Sequence, residues 1–129
     1  MNAAKLAVVY AAALLGWVLC AATMRIGIST VPVSEALVIH ALAAPIFFVL
    51  ISVFYFQRFA YTTPLQTAFI FVSVVMFMDF AVVGLLVNGS LKLFANLLGT
   101  WIPFILIFSA THITGLLVTS GRRYSVSAR

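Results

Sequence analysis

The chain has 129 residues, of which 65% are hydrophobic and only 7% are charged, and its net charge is +5. An ordinary soluble domain has about a quarter of its residues charged. The composition therefore excludes a water-soluble fold and indicates that lipid surrounds the chain.

Four apolar segments follow one another along the chain. A helix needs about 20 residues to cross the hydrocarbon core, and only helices and closed barrels satisfy their backbone there. The segments are apolar on every face, whereas barrel strands alternate in polarity, so we exclude a barrel. The sequence predicts an all-α integral membrane protein, a four-transmembrane-helix bundle forming one domain over residues 1–129. The predicted helices span about 4–24, 34–57, 64–87 and 101–120.

The first predicted helix could be mistaken for a secretory signal peptide. Its apolar run is longer than the usual core of about 7–15 residues, so we expect it to be retained. Gly16 and Cys20 lie one turn apart on it, a spacing that favours close contact with another helix or a second copy of the chain. Pro45 predicts a kink in the second helix, and Gly115 is a packing position in the fourth. Cys20 is the single cysteine, which excludes an intrachain disulfide.

Cap and stop residues mark the ends of the later helices. Thr63 and Pro64 are the expected cap and first residue of the third helix. Thr100 is the expected cap of the fourth helix, and Gly121 is its expected stop. Between these helices, residues 90–99 carry apolar side chains at helical spacing, which predicts a short amphipathic segment on the outer surface.

The basic residues are unevenly divided between the two sides of this bundle. The side with both chain termini holds five: Lys5, Arg58, Arg122, Arg123 and Arg129. The other side holds Arg25 and Lys92. Because basic residues are enriched in cytoplasmic loops, the sequence predicts both termini in the cytoplasm (N-in/C-in) of a bacterial inner membrane. Tyr55 and Tyr61 flank the inner loop and are expected to act as interfacial anchors.

Three polar residues stand inside the apolar segments, namely His40, Asp79 and His112. At a rise of about 1.5 Å per residue, they lie roughly 9, 13 and 18 Å from the outer ends of their helices. Ionisable residues at such depths usually face the bundle interior. Both histidines share a helical face with small residues, where helices approach closely. We therefore expect the three side chains to form a buried polar cluster.

The cluster has a functional and a structural interpretation. A carboxyl group beside imidazoles can hold or pass a proton, as in many membrane pumps and transporters. Alternatively, a hydrogen bond among these residues fixes the helix packing. Two histidines on different helices also suggest haem, but their predicted depths differ by roughly 9 Å, which disfavours one haem between them. A zinc site would need all three residues to converge, and no metal-ligand spacing supports it. We assign no metal and no cofactor.

The sequence carries no motif that identifies an activity. No nucleophile or phosphate-binding loop is recognisable, so enzyme activity is not supported. We expect a transport or ion/proton-pathway protein centred on Asp79, and the alternative is a non-catalytic membrane subunit or assembly factor. The expected partners are membrane lipid and either a second copy or another membrane protein. Because the basic residues are mostly scattered, nucleic acid is not among them.

Overall fold

The computed structural model describes residues 1–87, 89 and 91–129. Four long helices dominate it, and all are long and apolar enough to cross a membrane, which confirms the predicted all-α four-helix fold. The elements in chain order are α1 (Ala3–Thr30), α2 (Val33–Arg58), α3 (Pro64–Met78), the first π-helical segment (Asp79–Val87), a 3₁₀ helix (Leu91–Ala95), the second π-helical segment (Leu97–Trp101) and α4 (Ile102–Ser127). The first π-helical segment continues α3, and the second leads into α4.

Side-chain caps explain where two of the helices begin. The Asn2 side chain accepts a hydrogen bond of 3.1 Å from the backbone N–H of Lys5 at the start of α1. At the start of α3, Thr63 and Gln66 form a reciprocal capping box with bonds of 3.1 and 3.3 Å. Pro64 follows as the first helical residue, and the predicted cap at Thr63 is confirmed.

Helices α1 and α4 extend past the ends expected from the sequence. The expected end of α1 was Met24, but the helix continues to Thr30 and stops just before Pro32. Helix α4 passes through Gly121 and continues to Ser127. A glycine ends a helix when the chain turns into a left-handed conformation there, and Gly121 instead keeps helical geometry.

The connection between α3 and α4 folds into short helical turns. Of the expected amphipathic segment 90–99, Ser90 lies outside the described residues, and the remainder contains the 3₁₀ helix and the start of the second π-helical segment. Asn96 caps this π-helical segment by accepting a 2.8 Å bond from the backbone N–H of Gly99. Thr100, the expected cap, lies inside the segment and is buried.

The helices form a ring in the order α1, α2, α4, α3. Helix α2 packs against α1 and α4, and α3 packs against the same two helices. Although consecutive in sequence, α2 and α3 therefore lie at opposite corners, and α2 runs parallel to its neighbour α4. We call the end with the chain termini and the loop at residues 59–63 the lower end, and the opposite end the upper end.

Aromatic rings fill the centre of the ring of helices. Phe48 of α2 and Phe71 of α3 meet edge to face with centroids 5.7 Å apart, a favourable aromatic geometry. Tyr55 lies 6.2 Å from Phe71, and all three side chains are completely buried, as is Phe56. We call the Phe48–Phe71 pair the aromatic layer.

Two glycines have no side chain at positions where aromatic rings of α2 pack against them. A Cβ atom on Gly16 would collide with the Phe48 ring, and one on Gly115 would lie 2.7 Å from the Phe56 ring. Cys20 is buried one turn from Gly16. The small-residue pair of α1 thus lies inside the bundle, against α2 of the same chain. Helix α2 itself continues without a break through Pro45.

We predict that Gly16→Ala lowers the thermal unfolding temperature in detergent, because the new methyl group overlaps the Phe48 ring. Overpacking of this kind costs about 1–3 kcal/mol. The matched control is Gly121→Ala, where an added Cβ has no neighbour within 4 Å. Alanine stabilises such a helical position by about 0.5–1 kcal/mol relative to glycine. Equal unfolding temperatures for the two variants would contradict the role assigned to Gly16.

Candidate functional site

A small cavity lies in the upper half of the bundle, lined by residues of all four long helices. Its volume is about 80 Å³, enough for a few water molecules. Most of the lining is apolar, and three side chains supply titratable atoms. The lining residues are Trp17, Cys20, Ala21, Met24, Leu37, His40, Val75, Asp79, Val83, Gly99, Pro103, Phe104 and Ile107. We call this space the Asp79 cavity.

Asp79 is held at the side of the cavity by a single side-chain hydrogen bond. The indole Nε1–H of Trp17 donates to Asp79 Oδ1 over 2.8 Å, and this bond links α1 to α3. Asp79 is also the residue at which α3 changes from α-helical to π-helical geometry. Short π-helical stretches are rare and occur frequently at functional sites. The carboxyl group therefore sits at an irregular point of its helix, facing a space that water can enter.

His40 lines the same cavity from α2. Its ring lies against the backbone of Cys20, and its buried Nδ1 atom has no hydrogen-bond partner among the described residues. No hydrogen bond or ion pair joins His40 to Asp79 within that part of the chain. The two polar side chains thus share a cavity without touching.

His112 lies elsewhere, which makes the predicted three-residue cluster wrong. It does not line the Asp79 cavity; its ring stacks on Phe108 of the same helix, with centroids 6.2 Å apart. On α4 the cavity is lined by Pro103, Phe104 and Ile107. His112 lies five residues beyond Ile107, which at the usual helical geometry places it about 7.5 Å lower and about 140° around the helix.

This separation also decides the metal and haem hypotheses. The axial ligands of one haem lie on opposite faces of the same iron, and His40 and His112 are too far apart along the bundle to meet that requirement. Among the described residues, no group of three or more histidine, cysteine, aspartate or glutamate side chains could hold a metal ion. The described residues therefore fit neither a haem nor a metal ion.

A second polar region occupies the lower half of the bundle, and sequence reasoning missed it. The Tyr55 hydroxyl lies 2.8 Å from Thr62 Oγ1, which in turn lies 2.7 Å from Thr67 Oγ1. Ser52 and Thr111 are also fully buried in this half of the bundle, and their hydroxyl groups have no hydrogen-bond partner among the described residues. We call these five residues the hydroxyl cluster.

Tyr55 is a correction within this region. The sequence suggested an interfacial anchor, but the side chain is 0% exposed and points into the core. The available signal was periodicity, since Ser52 and Tyr55 fall on the same helical face as Phe48 and Phe56. The sequence alone did not show that this face points into the core, because every face of α2 is apolar.

The aromatic layer separates the two polar regions. Along α2, Phe48 lies about 12 Å below His40 and about 10 Å above Tyr55, at a rise of about 1.5 Å per residue. Along α3, Phe71 lies about 12 Å below Asp79 and about 6 Å above Thr67. Both helices thus give the same order from top to bottom: Asp79 cavity, aromatic layer, hydroxyl cluster.

Comparisons with protein families, with curated proteins and with solved structures found no match. The chemistry must therefore be judged from the side chains themselves. A carboxyl group and an imidazole around a few water molecules can bind and release protons. The cavity lining includes neither serine nor threonine, and its thiol, Cys20, is buried in the helix core. Proton binding is the chemistry that this set supports best.

We predict that Trp17 and Asp79 are energetically coupled. In a double-mutant cycle of Trp17→Phe and Asp79→Ala, the coupling energy should be about 1–3 kcal/mol, because each variant alone removes the same charge-assisted hydrogen bond. Thermal or denaturant unfolding in detergent measures it. The control cycle pairs Trp17→Phe with Glu35→Ala, an exposed acid at the start of α2, and should be additive. Additivity in both cycles would show that the Trp17–Asp79 hydrogen bond does not contribute to stability.

Proposed function

We propose that this chain is a small multi-pass protein of the bacterial inner membrane that provides a proton pathway, with Asp79 as the proton-carrying group. The observation that carries the proposal is the Asp79 cavity, a mostly apolar space for a few water molecules into which a carboxyl group and an imidazole project. Acids within membrane helices are costly to bury and are usually retained for function.

The outward-facing surface supports a place in lipid. Large apolar side chains are exposed around the whole bundle, at levels that water-soluble monomers do not show. Examples from the four helices are Ile26 at 64%, Phe54 at 63%, Phe77 at 65% and Leu117 at 69% exposure. Hydrocarbon chains would cover such a surface without a free-energy penalty.

The charge distribution supports both termini on the cytoplasmic side. Lys5, Arg58 and the three C-terminal arginines all lie toward the lower end of the bundle. The Lys5 ammonium group sits 5.3 Å from the Tyr61 ring centre, and the Arg122 guanidinium donates to the backbone carbonyl of Gln57. These contacts join α1 to the α2–α3 loop and α4 to the end of α2, at the level where anionic lipid headgroups would meet the basic side chains.

The ligand set favours a proton over a metal cation. Hard cations in proteins take about six oxygen ligands, and channels replace the hydration shell with rings of carbonyl or carboxylate oxygens. Among the described lining residues, Asp79 alone supplies carboxylate oxygens, beside one imidazole and one thiol. A proton needs only one acceptor and a hydrogen-bonded neighbour.

The alternative function is a non-catalytic subunit or assembly factor. The face that suggested it, Gly16 and Cys20, is covered by α2 within the chain, since Phe48 lies over Gly16 and Cys20 is buried. That small-residue pair is therefore already packed within the chain. We therefore rank the proton pathway first and keep assembly with a second copy or another membrane protein as a prediction.

We predict that Asp79→Asn abolishes proton flux in proteoliposomes, because the amide retains the shape of the side chain but cannot take up a proton. Flux is measured with an entrapped pH-sensitive dye under an imposed membrane potential. The chain offers a matched control, since Glu35 is its only other acidic residue and lies exposed at the start of α2. Glu35→Gln should retain the wild-type rate.

Two results would contradict the proposal. One is a wild-type flux no greater than that of empty liposomes, and the other is an unchanged flux in Asp79→Asn. Elution of each variant as a monodisperse peak on size exclusion shows that the comparison is made on folded protein.

We predict that the upper end faces the outside of the cell. In a Cys20→Ala background, Ser29→Cys and Ser125→Cys place one thiol at each end of the bundle, both at exposed positions. An impermeant maleimide added to intact cells should label Ser29→Cys, and should label Ser125→Cys only after lysis. The reverse pattern overturns the orientation, and labelling of both in intact cells indicates dual insertion.

A further inference from the structure

The hydroxyl cluster combines a hydrogen-bonded chain with two unpartnered groups. Ser52, Tyr55, Thr67 and Thr111 are 0% exposed, and Thr62 is 9% exposed. Tyr55, Thr62 and Thr67 are linked by bonds of 2.8 and 2.7 Å, and Thr67 also donates to the Thr63 carbonyl over 2.9 Å. The hydroxyl groups of Ser52 and Thr111 have no partner within the described residues.

Ser52 and Thr111 lie at the same level of two parallel helices. Phe56 of α2 packs against Gly115 of α4, where its ring would lie 2.7 Å from an added Cβ atom. Ser52 lies one turn above Phe56, and Thr111 lies one turn above Gly115. Because α2 and α4 run in the same direction, one turn upward on both brings Ser52 and Thr111 to the same level.

Thr67 of α3 comes to this level as well. Helices α3 and α4 are antiparallel, with Phe69 against Phe108 at 5.1 Å between ring centroids and Pro64 against Gly115. The position on α3 opposite Thr111 lies between these two contacts, where Thr67 is found. Hydroxyl groups from α2, α3 and α4 therefore converge on one level below the aromatic layer.

The unpartnered hydroxyl groups are unusual for helical residues. A serine or threonine inside a helix normally donates to a carbonyl of its own preceding turn. Thr23, Ser29 and Thr119 do so here, with bonds of 2.7–2.9 Å. Ser52 and Thr111 do not, so their hydroxyl groups remain available to bind water between the helices.

We propose that the hydroxyl cluster is a water-binding site that forms the lower half of the proton pathway, with the aromatic layer as the barrier between it and the Asp79 cavity. This inference rests on the proposed function. Water held by Ser52 and Thr111 gives a proton to the Tyr55 hydroxyl, and Tyr55 releases its own proton to Thr62, to which it is hydrogen-bonded over 2.8 Å. Thr62 releases its own proton to water at the lower end of the bundle, so each oxygen forms one O–H bond and breaks one. The pathway ends at the loop beside Thr62, at the lower end of the bundle.

The test compares two double variants in the same flux assay. Ser52→Ala/Thr111→Val removes both unpartnered hydroxyl groups with little change of shape, and we expect the flux to fall at least tenfold. The matched control is Ser73→Ala/Thr23→Val, because Ser73 lies on the exposed face of α3 and the Thr23 hydroxyl is already bonded to the Leu19 carbonyl. The control should retain the wild-type flux.

The outcomes separate the two proposals. If Asp79→Asn abolishes flux and the Ser52/Thr111 variant conducts like the control, the lower pathway is overturned and the proposed function stands. If Asp79→Asn has no effect, the proposed function falls, and this inference falls with it. Hydroxyl-radical labelling in nanodiscs gives a readout besides flux. Tyr55 should be labelled despite its burial, and labelling should fall at least threefold in the Ser52/Thr111 variant, whereas an unlabelled wild-type Tyr55 shows a dry cluster and overturns the inference.

The barrier is tested by opening it. Phe71→Ala removes one ring of the aromatic layer, and we expect at least a fivefold rise in flux that disappears when Asp79→Asn is added. A rise that persists without Asp79 is a nonspecific leak and overturns the barrier, as does an unchanged flux. Phe71→Leu replaces Phe71→Ala if the alanine variant does not fold, with a smaller rise expected.

Discussion

Phe48 and Phe71 meet edge to face on the axis of the bundle, and the positions of the other groups depend on that contact. Together with Tyr55, which lies 6.2 Å from Phe71, the two rings bring α2 and α3 into contact although these helices lie at opposite corners. Gly16 must remain without a side chain because the Phe48 ring occupies its space. Because the two rings fill the centre of the bundle at this level, the buried hydroxyl cluster lies below the pair and the Asp79 cavity lies above it.

The two polar regions meet the constraint of an apolar surrounding in different ways. In hydrocarbon an unpaired polar group is expensive, so most must find partners within the chain. Tyr55, Thr62 and Thr67 satisfy one another directly. Asp79 has one indole N–H and borders a space large enough for a few water molecules, which could supply partners for its other oxygen. A buried acid that relies on water is suited to exchange protons, whereas a fully bonded one is suited to hold helices together.

Hydropathy alone was enough to predict four helices, because each helix is apolar on every face. The same uniformity hid the packing order, since an all-apolar helix does not indicate which face turns inward. His112 shows the consequence: neighbouring small residues suggested a shared cluster, yet α4 lines the cavity with the side that carries Ile107, and His112 lies five residues lower on a different side of the helix. The π-helical geometry from Asp79 to Val87 was equally hidden, because it depends on how α3 packs and has no periodic signature.

The change from α-helical to π-helical geometry at Asp79 bears on how a barrier below it can open. Helices bend or shift most easily where the regular hydrogen-bond ladder is interrupted, and the upper parts of both α3 and α4 are interrupted in this way. Phe71 lies two turns below Asp79 on the regular part of α3. A shift of that part against the π-helical segment would move Phe71 away from Phe48 while Trp17 keeps its bond to Asp79. In the proposed pathway, the carboxyl group therefore stays in place, and the ring beneath it moves.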